Sequence, residues 1–182
     1  MSVTGRQQYD WLADVWDHDQ LQPSWIAKCL SGINRYGNRT WMPWSVARHS
    51  VLVERLLPEG TSARVRLQAL AHDIHEIWIG DIQKPVCMML GSQIDELKRL
   101  MDQKILATLR VPEFLGDRDA VAQADELAAE YEIRLFTALF SGVSPTCQSL
   151  DSDPVCHLVR DRTPDQVLWL ERWLDLADTY RL

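Results

Sequence analysis

Apolar residues recur every three or four positions along most of this chain, and that periodicity restricts it to a packing of helices. From about Pro23 to Arg35, the residues Trp25, Ile26, Cys29, Leu30 and Ile33 share one helical face. Trp44 to Leu57 repeats the pattern and ends in the turn-forming Pro58-Glu59-Gly60. Thr61 or Ser62 is placed to cap a third helix, which runs through Val65, Leu67, Leu70 and Ala71 to about Trp78 before Gly80 and Pro85 break it. Ser92 to Leu109 carries an apolar stripe of Ile94, Leu97, Leu100, Met101, Ile105 and Leu109. Arg118 to Phe140, rich in Ala, Leu and Glu, reads as the longest helix. Ser141 to Pro154 lacks periodicity and reads as an exposed loop, and Thr163 or Pro164 opens a last amphipathic helix ending near Tyr180. No strand pattern and no internal repeat is present. The expectation is an all-α bundle of about six helices, one domain over residues 1–182.

That length suits a single domain with a sizeable core. The net charge of −7 argues against duplex nucleic acid as the main partner, which would need a large basic surface. A small anionic substrate needs only a local group of cations, so it stays open. The four cysteines, Cys29, Cys87, Cys147 and Cys156, form no CxxC pair and read as reduced thiols. No apolar stretch at the N-terminus resembles a signal peptide, and no window reaches the roughly 18 apolar residues of a membrane span. A cytoplasmic protein without membrane contact is expected. Most of the eight tryptophans should be core residues, with Trp41 and Trp44 lying just ahead of the second helix.

One stretch departs from this pattern. Within Ala69-Leu-Ala-His-Asp-Ile-His-Glu-Ile-Trp-Ile-Gly-Asp81, an apolar helix places His72, Asp73, His75, Glu76 and Asp81 in ten residues. Burying such groups is costly unless they are paired or bind a metal. Adjacent His and Asp side chains near a helix end converge on one cation if the last turn is distorted. Two residues cannot fill a coordination shell, so further ligands must come from elsewhere. His49 in Ser45-Val-Ala-Arg-His-Ser50 and Asp125 in Val121-Ala-Gln-Ala-Asp-Glu126 are polar residues set where the pattern predicts core. Each alone reads as a satisfied core or edge residue. Together, as His … His-Asp … Asp on three helices, they favour a metal. Imidazole with carboxylate suits Zn, Mn, Fe or Co better than Ca, with Mg also admissible. His18-Asp19 repeats the dipeptide in a polar stretch with no apolar helix before it, and reads as solvent-exposed.

His49, His72-Asp73 and Asp125 resemble the signature of the HD-domain phosphohydrolases in order and rough spacing. The likeness is nearest to bacterial YfbR-type 5′-deoxynucleotidases and to small phage-encoded HD proteins. His72-Asp-Ile-His-Glu-Ile-Trp-Ile-Gly-Asp81 is similar to their His-Asp-x-x-Glu-x-x-x-x-Asp stretch, and Gly80-Asp-Ile-Gln-Lys-Pro85 continues it. Ile33-Asn34-Arg35 matches upstream, followed by Tyr36 where the deoxynucleotidases carry Trp. The motifs span about residues 25–135, and the C-terminal helix at about 163–180 adds nothing to the likeness.

The resemblance implies that His49, His72, Asp73 and Asp125 bind one divalent metal. It implies that Glu76 handles the proton of the attacking water and that Arg35 holds the phosphate. Asp81 would face the deoxyribose and assist catalysis, Tyr36 would pack near sugar or base, and Lys84 would add a substrate contact. Arg39 and Arg48 are further candidates for phosphate, although surface cations usually have no such role. His75, where the family has a small residue, either points away into solvent, the favoured reading, or adds a second polar contact. The sequence lacks the His-Asp-x-Gly-Lys form of two-metal phosphodiesterases and any Gly-rich loop ending in Lys-Ser or Lys-Thr. The expected activity is hydrolysis of a deoxynucleoside 5′-monophosphate. The alternatives are release of triphosphate from a dNTP such as dATP, a non-catalytic nucleotide-binding HD module, and a purely structural helical protein. Relatives of this type suggest a homo-oligomer, a dimer or larger.

Overall fold

The computed structural model describes residues 21–40, 42–111, 117–140 and 154–180, leaving aside the side chains of 137–140 and 154. The described residues form nine α-helices where about six were expected. They are α1 (Pro23–Gly32), α2 (Val46–Leu56), α3 (Ala63–Ala71), α4 (Glu76–Ile79), α5 (Lys84–Leu90), α6 (Ser92–Thr108), α7 (Asp117–Phe140), α8 (Pro154–Arg160) and α9 (Asp165–Tyr180). The excess comes from α4, α5 and α8, which are four to seven residues long and too short to show a periodic stripe. No strand is present among the described residues, and no helix of theirs is long and apolar enough to cross a membrane. Trp41, His18, Asp19, Cys147 and residues 141–153 of the expected loop lie outside the described residues.

Helix α2 is the axis of the fold. Every residue from Val46 to Glu54 is buried, which a helix tolerates only when neighbours surround it. Helices α1, α3, α7, α8 and α9 all pack against it. The Ser45 hydroxyl caps it by accepting the Arg48 N–H at 3.1 Å. Ahead of α2, the first helix stops at Gly32 rather than near Arg35, because Ile33 turns extended. Arg35 then donates its N–H to Trp44 O at 2.8 Å, and Val46 donates to Ile33 O at 2.9 Å. This short bridge ties Arg35 to the start of the central helix.

The third helix also differs from expectation. It ends at Ala71, not Trp78, and the backbone then tightens. Ile74, Glu76, Ile77 and Trp78 each donate to the carbonyl three residues back, at 3.0–3.1 Å. Such i→i+3 turns rotate successive side chains differently from an α-helix. The acidic and imidazole groups sit in this segment.

The C-terminal helix, which carries no motif, is part of the core. Trp169 and Trp173 are buried and stacked with centroids 5.1 Å apart, and Trp169 Nε1 donates to Leu70 O at 3.1 Å. Arg172 on α9 and Arg66 on α3 both bind the buried Glu54 carboxylate, at 2.7 and 2.6 Å. Arg48 is committed to the same region. Its guanidinium reaches Asp165 and the carbonyls of Leu158, Asp161 and Thr163. Truncating Trp169 to Ala should therefore cost roughly 3–5 kcal/mol of stability, read by denaturant unfolding. A loss below about 1 kcal/mol would show that α9 is only loosely attached.

Candidate metal centre

Three elements bring four side chains to one point. His49 comes from α2, His72 and Asp73 from the tightened turn after α3, and Asp125 from α7. His49 Nε2 lies 3.0 Å from Asp125 Oδ1 and 3.6 Å from Asp73 Oδ2. His72 Nε2 lies 3.1 Å from Asp73 Oδ2 and 3.7 Å from Asp125 Oδ1. Ligand atoms of His49, His72 and Asp125 fall within 4.8 Å of one another, close enough to share an ion. Asp73 is not in that group of three; it lies beside it, near both imidazoles, and groups instead with His75 and Glu76.

The far side of each ring decides how the near side is charged. His49 Nδ1 sits 2.7 Å from Glu132 Oε1, and His72 Nδ1 sits 2.7 Å from Ala69 O. A carbonyl and a carboxylate only accept, so each Nδ1 carries a proton and Nε2 is the atom each ring turns into the cluster, where it holds a second proton or, without one, offers a lone pair. Both Nε2 atoms are buried and have no aligned hydrogen-bond partner. The 3.0 Å approach of His49 to Asp125 is close but out of line for an N–H···O bond. Buried polar atoms are seldom left this way. Imidazole nitrogens and carboxylate oxygens gathered in this way could hold a metal ion.

Electrostatics point in the same direction. Burial opposes charging either imidazole, as does Arg35 for His49. Even so, Glu132 and Asp125 raise His49 above its ordinary value, and Asp73 and Asp125 raise His72 well above it. Burial likewise opposes ionising Asp73 and Asp125, yet the two imidazoles hold both well below the carboxylate range. The cluster demands positive charge, and protons supply it when no cation does.

Beside the cluster opens a cavity of about 550 Å³ whose walls include Arg35, Tyr36, Asp73, Glu76, Asp81, Lys84 and Asp125. Arg35, Tyr36, Glu76, Asp81 and Lys84 therefore line the same space. Arg35 is largely buried, with Nη1 3.5 Å from Asp73 Oδ2. Glu76 is buried with Oε2 unpartnered, and burial, then Asp73 and Asp81, push its carboxyl up to about 9. It holds a proton at neutral pH. One Asp81 oxygen accepts the Tyr36 N–H at 2.9 Å, which steadies Tyr36 at a φ of 58°, a conformation costly for a non-glycine residue. Lys84 stands at the rim, mostly exposed, 3.4 Å from Glu126.

Several expectations need correction. Arg48 does not reach the cavity, because its donors are taken by Asp165 and backbone carbonyls. Arg39 binds Tyr36 O and the Gln83 side chain instead of facing the cavity. His75 does not point to solvent. The turn buries it, with Nδ1 2.8 Å from Asp102 Oδ1 on α6. It lies with Asp73 and Glu76 in a second group of potential ligands. Glu132, on α7, had no place in the sequence reading, yet it is fully buried behind His49. A signal existed: Val121, Ala124, Ala128, Glu132, Leu135 and Phe136 are the buried residues of α7 among those described, and Glu132 is the one charged member. Asp95 and Lys98 of α6 also line the cavity unforeseen.

No protein-family model matches the chain. An uncharacterized protein from Rhodobacter capsulatus is 32% identical over 114 residues, covering 59% of this chain and 58% of that protein. The match therefore spans under two thirds of that relative's length, and its name assigns no activity.

Two outcomes follow for the purified protein. Metal analysis should find about one divalent ion per chain, lost in Asp125→Ala or His72→Ala. The imidazoles of the cation-free protein have raised values, so their stabilising contribution is present at acid pH and is lost as pH rises through the folded values. The cation-free protein should thus lose stability through that window. The cation-loaded protein should not, because binding has already displaced the protons. Parallel melting curves across neutral pH check this, and identical pH profiles for the two forms would contradict it.

Proposed function

We propose that this chain is an HD-type phosphohydrolase, cytoplasmic and homo-oligomeric, that removes the 5′-phosphate of a deoxynucleotide. The observation that supports it is the junction of His49, His72, Asp73 and Asp125 with a cavity holding Arg35 and Glu76. A divalent cation in that junction would neutralise phosphoryl charge and acidify water. The chain's own residues supply the rest. Arg35 offers N–H groups to phosphate oxygens, in the planar arrangement that suits them. Glu76, protonated at rest and one turn from Asp73, is suited to move a proton to or from a reacting oxygen. Tyr36 and Asp81 form the wall on which sugar or base would rest.

The charge of the cavity favours a monophosphate over the triphosphate alternative. Its lining holds six carboxylic groups, Asp73, Glu76, Asp81, Asp95, Asp125 and Glu126, against three cations, Arg35, Lys84 and Lys98. With one divalent ion added, the site is close to neutral and can accept a phosphomonoester dianion. A triphosphate with about four negative charges would find too few positive partners. The buried, proton-bearing Glu76 also favours turnover over a binding-only module.

Deoxynucleoside 5′-monophosphates assayed with Co, Mn or Mg should be hydrolysed faster than the matching triphosphates. Glu76→Gln should lower kcat on the order of 10²–10⁴-fold, while Arg35→Gln should act mainly on KM. A cation-loaded protein that cleaves none of these substrates would end the proposal.

A further inference from the structure

Glu132 accepts four hydrogen bonds with no exposure to solvent. Its Oε1 receives Trp44 Nε1–H and His49 Nδ1–H, each at 2.7 Å. Its Oε2 receives the Tyr36 hydroxyl at 2.6 Å and Arg35 Nε–H at 3.1 Å. These contacts use the acceptor capacity of a carboxylate almost fully, so it has none to spare for water or ligand. Its two oxygens serve different ends. Oε1 holds a candidate cation ligand, and Oε2 holds the cation that faces the substrate cavity.

Arg35 has a second neighbour, Asp73, at 3.5 Å. Asp73 belongs to the ligand cluster, so an Arg35 that moved onto it would compete with a metal ion for the same oxygen. Glu132 is the closer partner at 3.1 Å and is not a ligand. It draws the guanidinium the other way. The same residue presents the His49 lone pair, because its contact with Nδ1 fixes the tautomer.

We propose that Glu132 is a positioning residue that couples the cation site to the anion site. One of its oxygens aims His49 at the cluster, and the other anchors Arg35 through Nε, so that only Nη1 reaches toward Asp73. A cation and a phosphate-like anion then bind side by side, each strengthening the other. A cation at the cluster repels Arg35 from Asp73 and leaves its N–H groups for the anion, and by linkage the anion strengthens cation binding by the same factor. The inference rests on the metal-centre reading above.

The test is calorimetric titration of the whole protein with Co²⁺ and with inorganic phosphate, in wild type, Glu132→Gln and Arg35→Gln. Phosphate should bind wild type more tightly with Co²⁺ present, by roughly 5–150-fold. In Glu132→Gln that factor should collapse, and Co²⁺ affinity should fall by about 10–100-fold. Arg35→Gln should move Co²⁺ affinity the opposite way, tightening it, because a positive charge beside Asp73 is gone. A purely structural role would lower the melting temperature of both variants and leave the affinities of the folded protein unchanged, and that result overturns the proposal. If Glu132→Gln does not fold, Arg35→Gln decides: tighter Co²⁺ binding supports the coupling, and unchanged or weaker binding overturns it. A wild-type protein that takes up no Co²⁺ overturns the metal centre itself, and the coupling with it.

Discussion

Six ionisable groups, Arg35, His49, His72, Asp73, Asp125 and Glu132, meet inside the helical bundle, and their mutual compensation is the constraint on which the rest depends. Charge moved out of water is tolerated only when it is paired or ligated. Four carboxylates, counting Glu76, lie within reach of one guanidinium and two imidazoles. Glu76 responds by keeping its proton, and the imidazoles respond by gaining theirs. Both responses reflect a shortage of positive charge at the cluster. A divalent ion would relieve it by displacing those protons where Nε2 of His49 and His72 faces the carboxylates of Asp73 and Asp125 at 3.0–3.7 Å.

The fold serves that convergence. Helix α2 is buried along nearly its whole length, so His49 sits on an element packed by neighbours on every side. The C-terminal helix braces it through the Glu54–Arg66–Arg172 group and the Trp169–Trp173 stack, well away from the cavity. The turn from His72 to His75 is the one irregular segment of the centre. Its i→i+3 bonding lets two neighbouring side chains, His72 and Asp73, reach the same point, which a regular helix would forbid.

How much of this was legible in the sequence depended on the length scale of each feature. Long stripes such as Ser92–Thr108 and Asp165–Tyr180 declared themselves, because many residues vote for one face. Helices of four to seven residues offered too few votes. The candidate ligand residues stood out as polar interruptions of apolar runs, and the distortion needed to unite His72 with Asp73 could be stated as a condition beforehand. Partners were another matter. Arg48 looked like a cation near a site, and only the three-dimensional return of residues 158–165 revealed the carbonyls that absorb it. His75 looked exposed until the turn carried it to Asp102. Glu132 was hidden in a helix already rich in glutamate, where one more carboxylate carries no signal unless its place on the buried stripe is traced.

X-ray absorption spectroscopy of the cobalt-loaded protein would interrogate the centre most directly, because it reports the atoms around the ion and not merely its presence. A shell of two imidazole nitrogens and two carboxylate oxygens at about 2.0–2.2 Å, with outer-shell scattering from the histidine rings, is the expected spectrum. A shell of oxygen alone, without imidazole scattering, would contradict it.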